Sequence, residues 1–166
     1  MSGAEGFWDF SQRVYGAPGV AGACLGLQDR RGADVNLLLF ACWVAARGLG
    51  ALDAGRRAQA ETCVGAWRGR VVEPLRAARN AIKAGIAGAP AEEAAALRRV
   101  ILNAEIEGER IAQAMLETLA AAWPAVAGDP RQAAESSLQG ALAALPGTPG
   151  PGDRAAVAAL LDAAFG

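Results

Sequence analysis

Apolar residues recur along the chain with helical spacing, and no stretch alternates as a strand would. Phe7, Phe10 and Val14 fall at i, i+3 and i+7, which predicts a short amphipathic helix from about residue 4 to Gly16. Gly16 suits the position after a helix and Pro18 the first turn of the next one. That second helix has Val20, Cys24 and Leu27 on one side and runs out at residues 29–32. Residues 37–46 are almost unbroken in apolar character. A third helix, from about Asp34 to Arg47, is therefore apolar nearly all round and belongs at the centre of a bundle. Gly48 and Gly50 stop it. Asp53 caps a fourth helix, on which Val64, Trp67, Val71, Leu75, Ala78 and Ile82 take heptad-like spacing. Pro74 lies inside this run. Its missing N–H and the crowding of the Arg70 carbonyl predict a kink or a fresh start between Gly69 and Glu73. Residues 88–90 turn the chain into a fifth and longest helix, about 91–123. Its expected buried seam is Leu97, Ile101, Ala104, Gly108, Ile111 and Met115.

Beyond residue 125 the texture changes. Asp129-Pro130 starts a short helix to about residue 145, residues 146–152 read PGTPGPG, and Asp153 caps a last helix with Val157, Leu160, Leu161 and Phe165 on one stripe. The pattern predicts an all-α fold. A compact core of about five helices occupies residues 1–125, and an Ala/Pro/Gly-rich extension with two short helices occupies 126–166. The Pro/Gly linker predicts a marginally docked tail, able to release its stripe to a partner.

Composition supports this class. Hydrophobic residues make up 53% of the 166 and aromatics only 5%, so helices should approach closely through small side chains. A net charge of −1 gives no support to nucleic-acid binding. The charge is unevenly spread: residues 1–90 hold 11 basic and 7 acidic side chains, and residues 91–166 hold 5 and 10. There is no histidine, which removes His-based triads and the usual zinc sites. Cys24, Cys42 and Cys63 have small or apolar neighbours and read as buried reduced thiols of a cytoplasmic protein. The first ten residues lack the basic and apolar regions of a secretory signal, and the longest apolar run is about half of a membrane span.

Two polar groups stand out. Gln28, Asp29, Asp34 and Asn36 gather just before the apolar third helix. Asp34 is placed to cap it. Asn36 shares a face with Phe40 and Trp43, and a buried amide there needs partners, which Gln28 and Asp29 are near enough to supply. The group reads either as a polar knot fixing the turn between the second and third helices, or as a polar pocket with an aromatic wall. The second group is a basic face, Arg68, Arg76, Arg79 and Lys83, set against Glu105, Glu107 and Glu109. An antiparallel hairpin sets Arg68 level with Glu109 and Arg76 within a turn of Glu105. This is either an inter-helix ion-pair ladder or a carboxylate- or anion-binding site at Arg76 and Arg79. With arginines so near, Glu105 and Glu109 are expected to stay ionised rather than act as an acid/base pair.

The words FWDFSQRVYGAPGVAGACLGLQDRRGADVNLLLFACW, WRGRVVEPLRAARNAIK and LRRVILNAEIEGER, in that order, resemble an uncharacterised bacterial family, a conserved domain of unknown function. The resemblance covers roughly residues 5–120. It implies a small helical bacterial protein and carries no catalytic residue, cofactor or activity.

The residues themselves lead to an expected function: a non-enzymatic cytoplasmic interaction or scaffold protein, or a small-ligand binder, with no metal, no cofactor and no membrane span. It would present a groove between the second, third and fourth helices, with Gln28, Asp29, Asp34, Asn36, Arg76 and Arg79 as the contact residues. Two alternatives remain. One is a small enzyme using only carboxylate, amide and guanidinium groups. The other is a carrier holding an apolar ligand among Trp8, Phe40 and Trp43.

Overall fold

The structure is a computed structural model that describes residues 5–166. The expected start of the first helix, near residue 4, lies outside them. Among the described residues the regular structure is helical throughout: α1 (Phe7–Tyr15), α2 (Val20–Arg31), α3 (Val35–Ala46), α4 (Ala54–Trp67), a π-helical turn (Arg68–Val72), α5 (Glu73–Ala84), α6 (Ala91–Ala120), α7 (Pro130–Ala143) and α8 (Pro151–Phe165). The π turn joins α4 and α5 into one interrupted rod, so the protein is all-α as its pattern predicts. No described helix is long and apolar enough to cross a membrane.

The helix ends follow local chemistry. The Asp34 carboxylate accepts the Asn36 N–H at 2.9 Å and opens α3, and Asp53 and Asp129 do the same for α4 and α7. Gly32 closes α2 in the left-handed conformation, at φ 68°. Two expected boundaries move. Pro18 lies in the turn before α2 rather than in its first turn. Asp153 is not the cap of α8 but sits one turn inside it, behind Pro151, where it accepts the Gly150 N–H at 3.0 Å.

Pro74 acts where its chemistry requires. A proline N in a continuous α-helix would face the Arg70 carbonyl with no hydrogen to offer it, and the π turn just before it relaxes that clash. The turn adds a residue to the helical phase. Val72, not Val71, is therefore the buried valine, and it packs where a side chain on Gly108 of α6 would stand 3.3 Å away. The indole of Trp67 donates to the Gly108 carbonyl at 2.8 Å, so glycine lets the interrupted rod lie close on α6.

Helix α3 is the axis of the body, with residues 37–45 all buried. It is flanked by α7, α1 and α8, and α8 also lies along α2. The apolar cluster runs without a break from Phe7 and Phe40 to Leu138 and Leu160, so it crosses the change of texture at residue 125. The tail is also tied by charge. Asp153, 5% exposed, pairs with Arg31 at 2.9 Å and Arg30 at 3.2 Å. Arg31 further donates to the carbonyls of Leu142 and Gly147. The last helix is thus docked on the body, and this long-range pair closes over the linker.

The α5–α6 hairpin differs from the body. Helix α5 buries no residue and packs chiefly on α6 and the π turn. With the first half of α6 it forms a two-helix arm. Replacing Asp34 with alanine is expected to lower stability by about 1–2 kcal/mol, since the α3 cap and an ion pair to Arg68 of the π turn are lost together. A urea melt checks this; an unchanged midpoint would remove the capping role.

Candidate functional site

The polar residues meet where α3, the π turn and α6 converge. Asn36, one residue into α3, donates its amide to Glu109 of α6, and its carbonyl oxygen accepts the Gln113 amide at 2.8 Å. Gln113 in turn accepts the Ser11 hydroxyl of α1 at 2.9 Å. Gln28 and Asp29 take no part. Both are exposed on α2, so the expected knot between the second and third helices is replaced by one between α3 and α6. Helix α2 turns its Val20–Cys24–Leu27 side inward, which forces the positions after Leu27 outward. The signal for the true partners was present: Glu105, Glu109 and Gln113 recur every four residues on one face of α6.

Arg76 and Arg79 are brought to the same place. Arg76 donates to Glu105 at 2.9 Å and to Glu109 at 2.8 Å, and Arg79 donates to Glu105 at 2.6 Å. Arg68, expected level with Glu109, pairs instead with Asp34 and, at 3.8 Å, with Glu73. The chain Ser11–Gln113–Asn36–Glu109–Arg76–Glu105–Arg79 thus ties α1, α3, α5 and α6 together.

The two carboxylates are driven in opposite directions. Burial alone would raise Glu105, but hydrogen bonds from Arg79 and Arg76, with their charges, hold it below the ordinary carboxyl value. At Glu109 burial dominates. Arg76 and Asn36 offset it only in part and the nearby Asp34 charge adds to it, so its pKa is raised. Opposed shifts of this kind can mark an acid and a base. Here every carboxylate oxygen of the pair already accepts from Arg76, Arg79 or Asn36, which leaves none directed at a substrate.

A raised pKa means that the folded state holds the proton more tightly than the unfolded chain. Glu109 therefore adds stability as pH falls toward the ordinary carboxyl value, and its ionised form costs stability at neutral pH. Glu109→Gln removes this titration, and it also sets an amide NH2 against one of the two donors, Arg76 or Asn36, a cost that does not change with pH. Its deficit relative to wild type is therefore expected to widen as pH falls from neutral toward the ordinary carboxyl value. Urea melts at a series of pH values test this, and a deficit that narrows on acidification would reject the assignment.

The aromatic wall is part of the core. The ring of Phe40 lies 5.3 Å from Phe7, 6.0 Å from Trp43 and 5.9 Å from Trp123, centre to centre, and the Trp43 N–H donates to the Glu5 carbonyl. Trp8 stands apart, half-buried, with the Arg110 guanidinium over its ring. Burial pushes the Cys24 thiol up to about 11 and the Cys42 thiol up to about 12, so neither is a nucleophile at neutral pH.

The other conspicuous surface is apolar and was not foreseen as one. Leu97, Ala104 and Ile111 of the expected seam are exposed, and Val100 stands 63% exposed beside them. The residues that α6 does bury include Glu105, Gly108, Ala112 and Leu116. Ile86, 60% exposed, continues the patch at the hairpin turn, where Ile82, Pro90, Ala94 and Leu97 line an open cleft.

No curated protein and no solved structure matches the chain. Residues 6–116, the stretch from α1 through most of α6 that contains both the polar chain and the arm, match the profile of one family, and the protein belongs to it: the family described as protein of unknown function (DUF2390).

Proposed function

We propose that the protein is a non-enzymatic interaction module of the cytoplasm, which holds out the α5–α6 arm as its contact surface. The observation that carries this reading is the apolar face of the arm: Ile86, Leu97 and Val100 are each more than half exposed, with no third layer over them among the described residues. Arg76 and Arg79 then act as positioning residues. By locking Glu105 and Glu109 they fix the arm to α3 through Asn36, with Asp34 holding the π turn through Arg68. Gln28 and Asp29 sit on a separate, polar part of the surface and contribute no contact to this arrangement. Cys24 and Cys42 are buried as expected and Cys63 is only half-buried; three free thiols accord with a reducing compartment.

The enzyme reading has one observation in its favour, the opposed shifts of Glu105 and Glu109, set against carboxylates that are fully engaged by their neighbours. A photo-reactive side chain in place of Val100 tests the interaction reading in living cells. Discrete adducts are expected from that position and not from Lys83, which is exposed on the same hairpin. Absence of any adduct at Val100 would reject the arm as a contact surface.

A further inference from the structure

The spacing on the arm says what covers it. Leu97, Ala104 and Ile111 are seven residues apart on α6, and Leu75 and Ile82 are seven apart on α5. Heptad spacing on two adjacent helices is the pattern of a four-helix bundle, of which this chain supplies two helices. One side of the hairpin is already filled. Arg76 reaches from Glu105 to Glu109, and Glu109 meets Asn36, so that side is tied to α3, with Leu102 and Ile106 part-exposed along it. At about 100° per residue, Leu97, Val100, Ala104 and Ile111 lie on the other side of α6 from Glu109, turned away from α3. Glu93 and Glu107 border this stripe, and Glu107 is paired with Arg110 of its own helix at 3.9 Å.

The stripe is self-complementary. Ala104 is small and stands midway between Leu97 and Ile111. Two α6 helices laid antiparallel with Ala104 on the axis place each Leu97 against the other copy's Ile111. This is the isologous arrangement that a twofold axis requires. The other helices are not free to cover the face: α1, α2, α3, α7 and α8 bury their apolar sides in the common core. The extent of the face is also adequate. Residues 94–111 span about 26 Å along α6, and two helices are about 20 Å wide. That is roughly 500 Å² on each copy, or about 1,000 Å² in all, the lower limit for a specific interface.

We propose that a second copy of this chain closes the arm, two α5–α6 hairpins forming an antiparallel four-helix bundle on a twofold axis at Ala104. The proposal rests on the interaction reading above and names its partner. Sedimentation equilibrium of the purified full chain at increasing concentration is expected to approach twice the 16.9 kDa chain mass. Leu97→Glu combined with Val100→Glu should return it to a single chain with an unchanged helical circular dichroism spectrum. Ala104→Cys, in a Cys63→Ser background, should form a disulfide-linked pair under mild oxidation, whereas Ala95→Cys, exposed and nine residues away on the opposite side of α6, should not. A single-chain mass throughout, or a doubled mass that survives the paired substitution, would overturn the proposal. If the purified chain stays single while the probe at Val100 yields adducts of another mass, the second copy is wrong and the interaction reading stands. If there is neither doubling nor adduct, both fall.

Discussion

Glu105→Ala should lower the stability of the protein by about 3 kcal/mol, the cost of breaking a buried ion pair by removing one partner. Glu105 is 6% exposed and is the only carboxylate within reach of Arg79 among the described residues, as well as one of two that hold Arg76. Removing it leaves the Arg79 guanidinium, itself four-fifths buried, with no acceptor against α6. Arg76 reaches water and keeps Glu109, so its share of the loss is smaller. A double-mutant cycle with Arg79→Ala separates the pair from the rest: a coupling above about 1 kcal/mol is expected, because the two residues touch and Arg79 has no other carboxylate within reach among the described residues. Additive effects would mean that the ion pair does not hold the arm, and Arg76 and Arg79 would return to being candidates for binding an external anion. The contrast with Glu109→Gln sharpens the test. One turn apart on one helix, the two carboxylates should contribute to the pH dependence of stability with opposite signs, since the arginine hydrogen bonds and charges together outweigh burial at Glu105 and do not at Glu109.

The helices were legible because their signals are local. Residues 37–46 are apolar on every side, and only a central helix buries every side. Pro74 marked its own disturbance to within a few residues, since a missing N–H acts at a fixed offset; that the disturbance would be a π turn, and would put Val72 inward in place of Val71, depended on how the chain settled against Gly108. Asp34 was correctly placed as a cap, for a cap needs only the next turn of its own helix.

Long-range choices were not legible. Asn36 was assigned partners eight and seven residues back, at Gln28 and Asp29, whereas its partners are Glu109 and Gln113, on a helix more than 70 residues further on. The seam of α6 shows the same limit more sharply. Of the seam expected from apolarity, Gly108 is buried and Ile101 and Met115 half-buried, while Leu97, Ala104 and Ile111 are exposed; the side facing α5 is selected by Glu105, whose two arginine partners lie there. Side-chain hydropathy alone cannot weigh three interlocking charges against a leucine. The apolar stripe that lost this competition is the one left bare. The bare stripe has the spacing of a packed interface, and no other described helix packs over it.

Leu160→Ala should destabilise the entire body, by about 3 kcal/mol, rather than release the last helix alone. Leu160 is fully buried on α8, where that helix meets α2 and α3, and truncation leaves a cavity in the common core. A tail hung on PGTPGPG and held only by its own stripe would behave differently: ordering the linker costs about 1–2 kcal/mol per residue, so loss of one leucine would undock it and leave the rest intact. The structure replaces that balance with fixed ties. Arg31 spans 122 residues to Asp153 and also grips the carbonyls at the end of α7, and Arg131 of α7 pairs with Asp162 of α8 at 2.6 Å. The four indoles, Trp8, Trp43, Trp67 and Trp123, lie in α1, α3, α4 and just past the end of α6, all ahead of residue 126, so their fluorescence reports the body while circular dichroism reports all helices. In urea both signals should shift together to a lower midpoint in Leu160→Ala. A tryptophan transition that stays where it was, with an early loss of helix ahead of it, would show that α8 unfolds on its own and that the change of texture at residue 125 is a true boundary after all. Asp153 gives the same test a second handle. The Gly150 N–H and the two arginines hold its carboxyl below the ordinary value, so its contribution is present at neutral pH and is lost as pH falls through that depressed pKa. If α8 is part of the core, the tryptophan signal must register that acid transition too.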